Sequence, residues 1–119
     1  MQVVRDGAGE SFPKQLRLRR AVDFKKVYER GDKRTSRSFV LFALKNGLSE
    51  TRFGMTAPRK IGKAHERNRI KRRVREILRT SRTAIPTGFD FVVNPRRSVM
   101  ERSFEELRSE LAALLAGEK

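Results

Sequence analysis

Residues 58–82 read PRKIGKAHERNRIKRRVREILRTSR, and this stretch decides the fold. From Arg59 onward it holds eleven Lys and Arg against two acids, Glu66 and Glu76, a net charge of +9. Through the cations runs an apolar series, Ile70, Val74, Ile77 and Leu78, spaced i, i+4, i+7, i+8 as one stripe of an α-helix. The spacing predicts a helix over about residues 63–81, entered after Gly62. One side of that helix must be buried. The other sides carry charge that no core accepts, because an unpaired buried charge is very costly. They must face water or a polyanion.

The rest of the chain is less charged. Across all 119 residues the formal net charge is +15. Residues 1–58 contribute +7 and residues 83–119 contribute −1, so a polyanionic partner should meet the first two thirds. The length suits one domain with a modest core. A hydrophobic content of 37% with eight Phe argues against wholesale disorder. No Cys is present, so no disulfide framework exists and a reducing compartment is compatible. The longest apolar run, residues 39–44, is far too short to span a bilayer, and the first residues lack the apolar centre of a secretion signal.

Outside the basic helix the pattern alternates between periods. Residues 1–14 read as a flexible arm, and residues 15–117 as a single domain. Residues 21–30 form a helix with Phe24, Val27 and Tyr28 on one face, closed by Gly31 as a C′ residue. Residues 38–45 form a strand with Phe39, Leu41 and Ala43 on one face and Val40, Phe42 and Leu44 on the other. Both faces are apolar, so one packs on helices and the other is covered or used. Asn46-Gly47 is a turn leading to a strand over 52–57, and the two strands are expected to pair as a hairpin. A short strand can hide in 32–37. Residues 89–94 form a further strand, and Ser103-x-x-Glu106 opens a helix carrying Phe104, Leu107, Leu111, Leu114 and Leu115, stopped by Gly117. The expected fold is α+β, a single sheet of about four strands with three helices in the order α-β-β-β-α-β-α. The basic helix links two strands and so forms a crossover between parallel neighbours.

Several residues offer chemistry. Arg67, Lys71, Arg75 and Arg79 recur every four residues, and Arg72 lies between that row and Asn68. A charge run is usually a solvated face. Here, however, like charges at i, i+4 cost about 0.2–0.5 kcal/mol per pair, so a compensating anion is expected. Phosphate fits, since arginine offers it planar bidentate geometry. Asn68 adds a neutral hydrogen-bonding group within that charge. Phe24, Tyr28 and Phe42 are each candidates for ordinary core. Taken together, aromatics among Lys and Arg make a stacking platform for single-stranded nucleic acid. His65, the one histidine, has no Cys or His partner for zinc and reads as a surface residue. The carboxylates Asp23, Asp32 and Asp90 stand apart in the sequence. The residues describe an RNA-binding protein without a catalytic or metal centre of its own.

Lys60 to Arg75 closely resembles the signature helix of the bacterial ribonuclease P protein subunit family, through Ala64, Arg67, Asn68, Arg69, Ile70, Lys71, Arg72 and Arg75. Leu16 and Leu18, Asp23-Phe24, Val27-Tyr28, Gly31, Gly54 and Phe89-Asp90-Phe91 extend the likeness over roughly residues 14–115. The resemblance implies a cytoplasmic ribonucleoprotein endonuclease that removes the 5′ leader of precursor tRNA. Its active site and Mg2+ belong to a catalytic RNA, and no small-molecule cofactor is involved. It further implies that Lys60, Lys63, Arg67, Asn68, Arg69, Lys71, Arg72 and Arg75 face that RNA, and that Phe24, Tyr28, Val40 and Phe42 line a cleft for the leader. It also implies a left-handed βαβ crossover, against a general rule that favours the right hand in about 98% of cases. A ribosomal or ribosome-assembly RNA-binding protein is the alternative, with one RNA surface where this family has two.

Overall fold

A computed structural model describes residues 17–81 and 85–117; the arm expected over 1–14 lies outside them, as does Leu16. The elements are α1 (Ala21–Arg30), β1 (Asp32–Thr35), β2 (Phe39–Lys45), β3 (Arg52–Met55), α2 (Ala64–Thr80), β4 (Phe89–Pro95) and α3 (Phe104–Leu115). This is the expected α-β-β-β-α-β-α order. Short 3-10 turns over Arg59–Ile61 and Arg97–Glu101 flank the basic helix and the last strand; no periodicity announced them.

The sheet runs β1-β2-β4-β3. β1 pairs antiparallel with β2, β2 antiparallel with β4, and β3 parallel with β4. The expected hairpin between β2 and β3 is therefore not formed, because β4 inserts between them. The turn at Asn46-Gly47 is real, with Gly47 at φ 74°, but it carries the chain past the sheet's middle. β4 explains why. Phe91 and Val93 on one face and Val92 on the other are fully buried, and a strand apolar on both sides belongs inside a sheet. A bidentate pair fixes the parallel register: Arg52 donates from Nε to Asp90 Oδ1 (2.9 Å) and from Nη2 to Oδ2 (2.7 Å). Asn46 Nδ2 also donates to Asp90 Oδ1, at 2.9 Å.

Each face has its own core. Phe39, Leu41, Ala43, Phe53, Phe91 and Val93 meet α2 and α3 on one side. Leu18, Val27 and Val92 meet on the other, with Phe24, Phe42 and Leu44 half-buried against them. α2 seats Ile70, Val74, Ile77 and Leu78 against the first core. Burial of each contributes about 1.5–3 kcal/mol, which outweighs the like-charge repulsion along the helix. α1 ends at Gly31 as expected, but its backbone there is extended (φ −78°) rather than left-handed. The glycine is required for space, since a Cβ would sit 2.5 Å from the Val27 carbonyl oxygen.

α3 opens with the capping box read in the sequence, Ser103 and Glu106 each accepting from the other's amide. It is pinned to the sheet by Glu110. Ser36 Oγ and the Ser38 amide donate to Oε1 (2.7 and 2.8 Å), and Ser38 Oγ donates to Oε2 (2.8 Å). Arg102 Nε donates to the same Oε2 at 3.1 Å. Burial disfavours the carboxylate, but the hydroxyls, the amide and Arg102 outweigh it and hold its pKa below the ordinary 4.5. A depressed carboxyl pKa stabilises the fold above the unfolded value, and that contribution is lost as pH falls through the folded value. Glu110→Gln should therefore destabilise by about 1–3 kcal/mol at neutral pH. In urea unfolding series, the gap from wild type should hold down to about pH 5.5 and close below 4.5. A gap independent of pH would show that the carboxylate's charge has no part in the latch.

Candidate nucleic-acid interface

Two surfaces carry the residues singled out in the sequence, and they sit on opposite sides of the sheet. The first is the outer side of α2. Lys63, Asn68, Arg69 and Arg72 are exposed, as is Lys60 in the preceding turn. Arg67, Lys71 and Arg75 are half-buried. The four-residue row thus departs from its expected course. A step of four advances about 40° beyond a full turn, yet all four residues of the row, Arg79 included, are half-buried rather than exposed. Arg67 Nη1 is turned back to donate to the Gly62 carbonyl (3.0 Å), and Arg79 forms an ion pair with Glu76. Arg75 lies in a crowded place: burial, then Arg17 and Arg72 nearby, all disfavour its charge. Glu66 accepts from the Lys63 amide (2.7 Å) and completes the first turn. His65 is exposed.

The second surface lies between α1 and the sheet. α1 covers only part of the second apolar face and leaves two adjoining hollows. One, of about 580 Å³, is lined by Arg19, Phe24, Lys25, Tyr28 and Thr56 among others. The other, of about 430 Å³, is lined by Val40, Thr56, Lys60, Asn94, Arg96 and Arg97 among others. Thr56 is common to both. Tyr28, 38% exposed, packs edge-on against Phe42 with ring centroids 4.9 Å apart, and Lys33 Nζ stands 6.0 Å from the Phe42 centroid. Phe24 is half-buried and lies over Gly54, where a Cβ would come within 2.6 Å of its ring. The structure thus places Phe24 and Tyr28 in one hollow, packs Phe42 against Tyr28, and places Val40 in the next hollow. The sequence reading missed Thr56, Asn94, Arg96 and Arg97. Asn94 carried a faint signal, a polar residue at the outward end of an apolar strand. Without the β2–β4 register, which sets it opposite Val40, nothing placed it in the cleft.

An exposed cationic helix and a separate groove of aromatics among cations define a small α+β module of the RNA-binding class. The sequence profile of the ribonuclease P family matches residues 12–118. The ribonuclease P protein component of Thermotoga petrophila is 45% identical over 98 residues, covering 82% of this chain and 83% of its relative. That of Thermotoga maritima is 42% identical over 110 residues, covering 89% and 94%. Among solved structures, the RNase P protein from Thermotoga maritima superposes with a TM-score of 0.80 at 38% identity, covering 87% of this chain and 97% of that one. The Staphylococcus aureus RNase P protein gives 0.77 at 27% identity, covering 84% and 92%. The chain belongs to the ribonuclease P protein family.

The packing of Phe24 on Gly54 ties this groove to the sheet. Gly54→Ala must displace the ring or the strand, at about 1–3 kcal/mol. The chain has a single Tyr and no Trp, so its emission reports on Tyr28 alone. The variant should unfold at lower urea and shift that emission; an unchanged midpoint and spectrum would show that the ring is not held by this packing.

Proposed function

We propose that this chain is the protein subunit of ribonuclease P. It binds the catalytic RNA through the exposed side of α2 and receives the 5′ leader of precursor tRNA in the hollows beside α1. It thereby assists endonucleolytic removal of the leader to give mature tRNA 5′ ends. The observation that carries this reading is the pair of surfaces themselves. They are mounted on opposite faces of one sheet, so both can be engaged at once by different RNAs.

The division of labour follows from the side chains. Arg69, Arg72 and Lys63 are exposed point charges suited to phosphates, and Lys60, in the turn before α2, also lines the second hollow and so stands between the two surfaces. Neutralising them releases counterions and screens the repulsion between two RNAs. Tyr28 and Phe42 offer an aromatic edge and face on which an unpaired base can stack, contributing about 1–3 kcal/mol per base. A base extended there keeps the leader single-stranded and away from the bond to be cut. Among the described residues no three His, Cys, Asp or Glu side chains gather. By kinship with the ribonuclease P proteins, this reading leaves the hydrolytic Mg2+ to the RNA, where it would activate the attacking water. Among the described residues no helix is long and apolar enough to cross a membrane. By kinship with the ribonuclease P proteins, we place the particle in the cytoplasm.

Two measurements on the reconstituted particle test this. Tyr28→Ala should weaken binding of a long-leader precursor by roughly 5- to 100-fold and leave mature tRNA unaffected, the difference corresponding to one stacked base. An equal loss for both would remove the leader from this hollow. Arg69→Ala with Arg72→Ala should lower the slope of log affinity for the catalytic RNA against log salt by about 0.9 for each phosphate that is no longer neutralised. An unchanged slope would leave this face merely solvated.

A further inference from the structure

Asn46-Gly47 is the chain's one Asn-Gly pair; the other two asparagines precede Arg69 and Pro95. It lies at the corner where β2 leaves the sheet, away from both RNA surfaces. The Asn46 amide is tied at both ends. Nδ2 donates to Asp90 Oδ1 at 2.9 Å and to the Glu50 carbonyl at 3.0 Å, and Oδ1 accepts from the Leu48 amide at 2.7 Å. A carboxylate and a carbonyl only accept, and a backbone N–H only donates, so these partners fix which end of the amide is nitrogen. The Asn46 backbone N–H donates to the Gly88 carbonyl at 2.9 Å. Asp90 is also the carboxylate that Arg52 grips from Nε and Nη2. Asn46 thus belongs to the knot that sets β3 beside β4.

An Asn-Gly pair is also a place where a chain reacts with itself. Glycine has no side chain to shield its nitrogen, and Gly47 is exposed, with open space where a Cβ would stand. The Gly47 nitrogen, its proton taken by hydroxide, attacks Asn46 Cγ. An N–Cγ bond forms, the Cγ–Nδ2 bond breaks, and Nδ2 leaves as ammonia with a proton from water. Water then opens the five-membered imide. Attack at Cγ leaves an aspartyl residue, and attack at the backbone carbonyl leaves an isoaspartyl one. Overall one water is consumed and one ammonia released. In the folded protein Cγ reaches the Gly47 nitrogen only if Nδ2 leaves Asp90 and Glu50 and Oδ1 leaves Leu48. Conversion puts an oxygen where Nδ2 stood. That oxygen meets the buried Asp90 carboxylate and the Glu50 carbonyl, acceptor against acceptor, so the tie cannot be remade.

We propose that Asn46 is a site of spontaneous deamidation, held closed by its tie to Asp90, and that its conversion keeps this corner from closing again. Trypsin cuts after Lys45 and Arg52 and so releases residues 46–52 as one peptide, whose mass reports the change from amide to acid. The full chain is incubated in mildly alkaline buffer with and without denaturing urea, and conversion is followed in time. Conversion in the folded protein should be slower by roughly 10-fold or more, since freeing the amide gives up three hydrogen bonds each worth a factor of about 2 to 10. Asp90→Ala should react several-fold faster than wild type without urea while circular dichroism shows its helices intact; Asp90→Asn, which keeps the side chain's shape, takes its place if the alanine variant does not fold. Asn46→Asp should unfold at lower urea than wild type. Equal rates with and without urea, no conversion in urea, a folded Asp90 variant that reacts no faster than wild type, or an Asn46→Asp midpoint equal to wild type would each overturn the proposal.

Discussion

Everything in this molecule answers to a conflict on one helix. α2 has four aliphatic side chains that must leave water and a dense set of guanidinium and ammonium groups that must stay in it. The aliphatic side decides where the helix lies, because its burial outweighs the repulsion among the charges by several kcal/mol. It lies on the sheet face formed by Phe39, Leu41, Phe91 and Val93. The charges are then carried outward as a consequence of packing. Their mutual repulsion persists in the free protein, and at Arg75 burial, followed by the nearby Arg17 and Arg72, disfavours the charge. A polyanion that docks on this side relieves a stress already built into the fold.

The same helix sets the topology. It connects β3 to β4, and these two strands pair in parallel, an arrangement that needs a crossover of this length. With α2 and α3 committed to one face of the sheet, only α1 among the described elements is left for the other. A helix of ten residues cannot cover a four-stranded sheet, so Val40, Phe42 and Thr56 remain partly open beside Phe24 and Tyr28. The groove is thus the uncovered remainder of an apolar face, rimmed by cations from α1, β1 and the turns around β4. Its aromatic floor and charged rim follow from economy of elements as much as from recognition.

Much of this could be read in the sequence because it is local. The stripe Ile70, Val74, Ile77, Leu78 gives α2, the Ser103–Glu106 box gives the start of α3, and the alternation through residues 39–45 gives both faces of β2. What could not be read is non-local. An Asn-Gly turn between two apolar strands suggests a hairpin, yet the better partner for β2 is β4, more than forty residues away. That preference comes from burial on both faces of β4 and from the Arg52–Asp90 pair, neither visible until the strands are laid side by side. The cleft residues divide in the same way. Phe24 and Tyr28 share a helical face and are seen at once. Asn94 becomes meaningful only when the ladder sets it against Val40 and the Tyr28 hydroxyl reaches it across the groove.

The central claim is that this chain supplies charge and a path for the leader while a separate RNA breaks the bond. Cleavage of precursor tRNA at low Mg2+ by the protein alone, by the catalytic RNA alone and by the two together measures it directly. The account predicts no cleavage by the protein, little by the RNA, and efficient cleavage with release of an intact leader by the pair. Cleavage by the purified protein on its own, or an RNA whose activity the protein leaves unchanged, would contradict it.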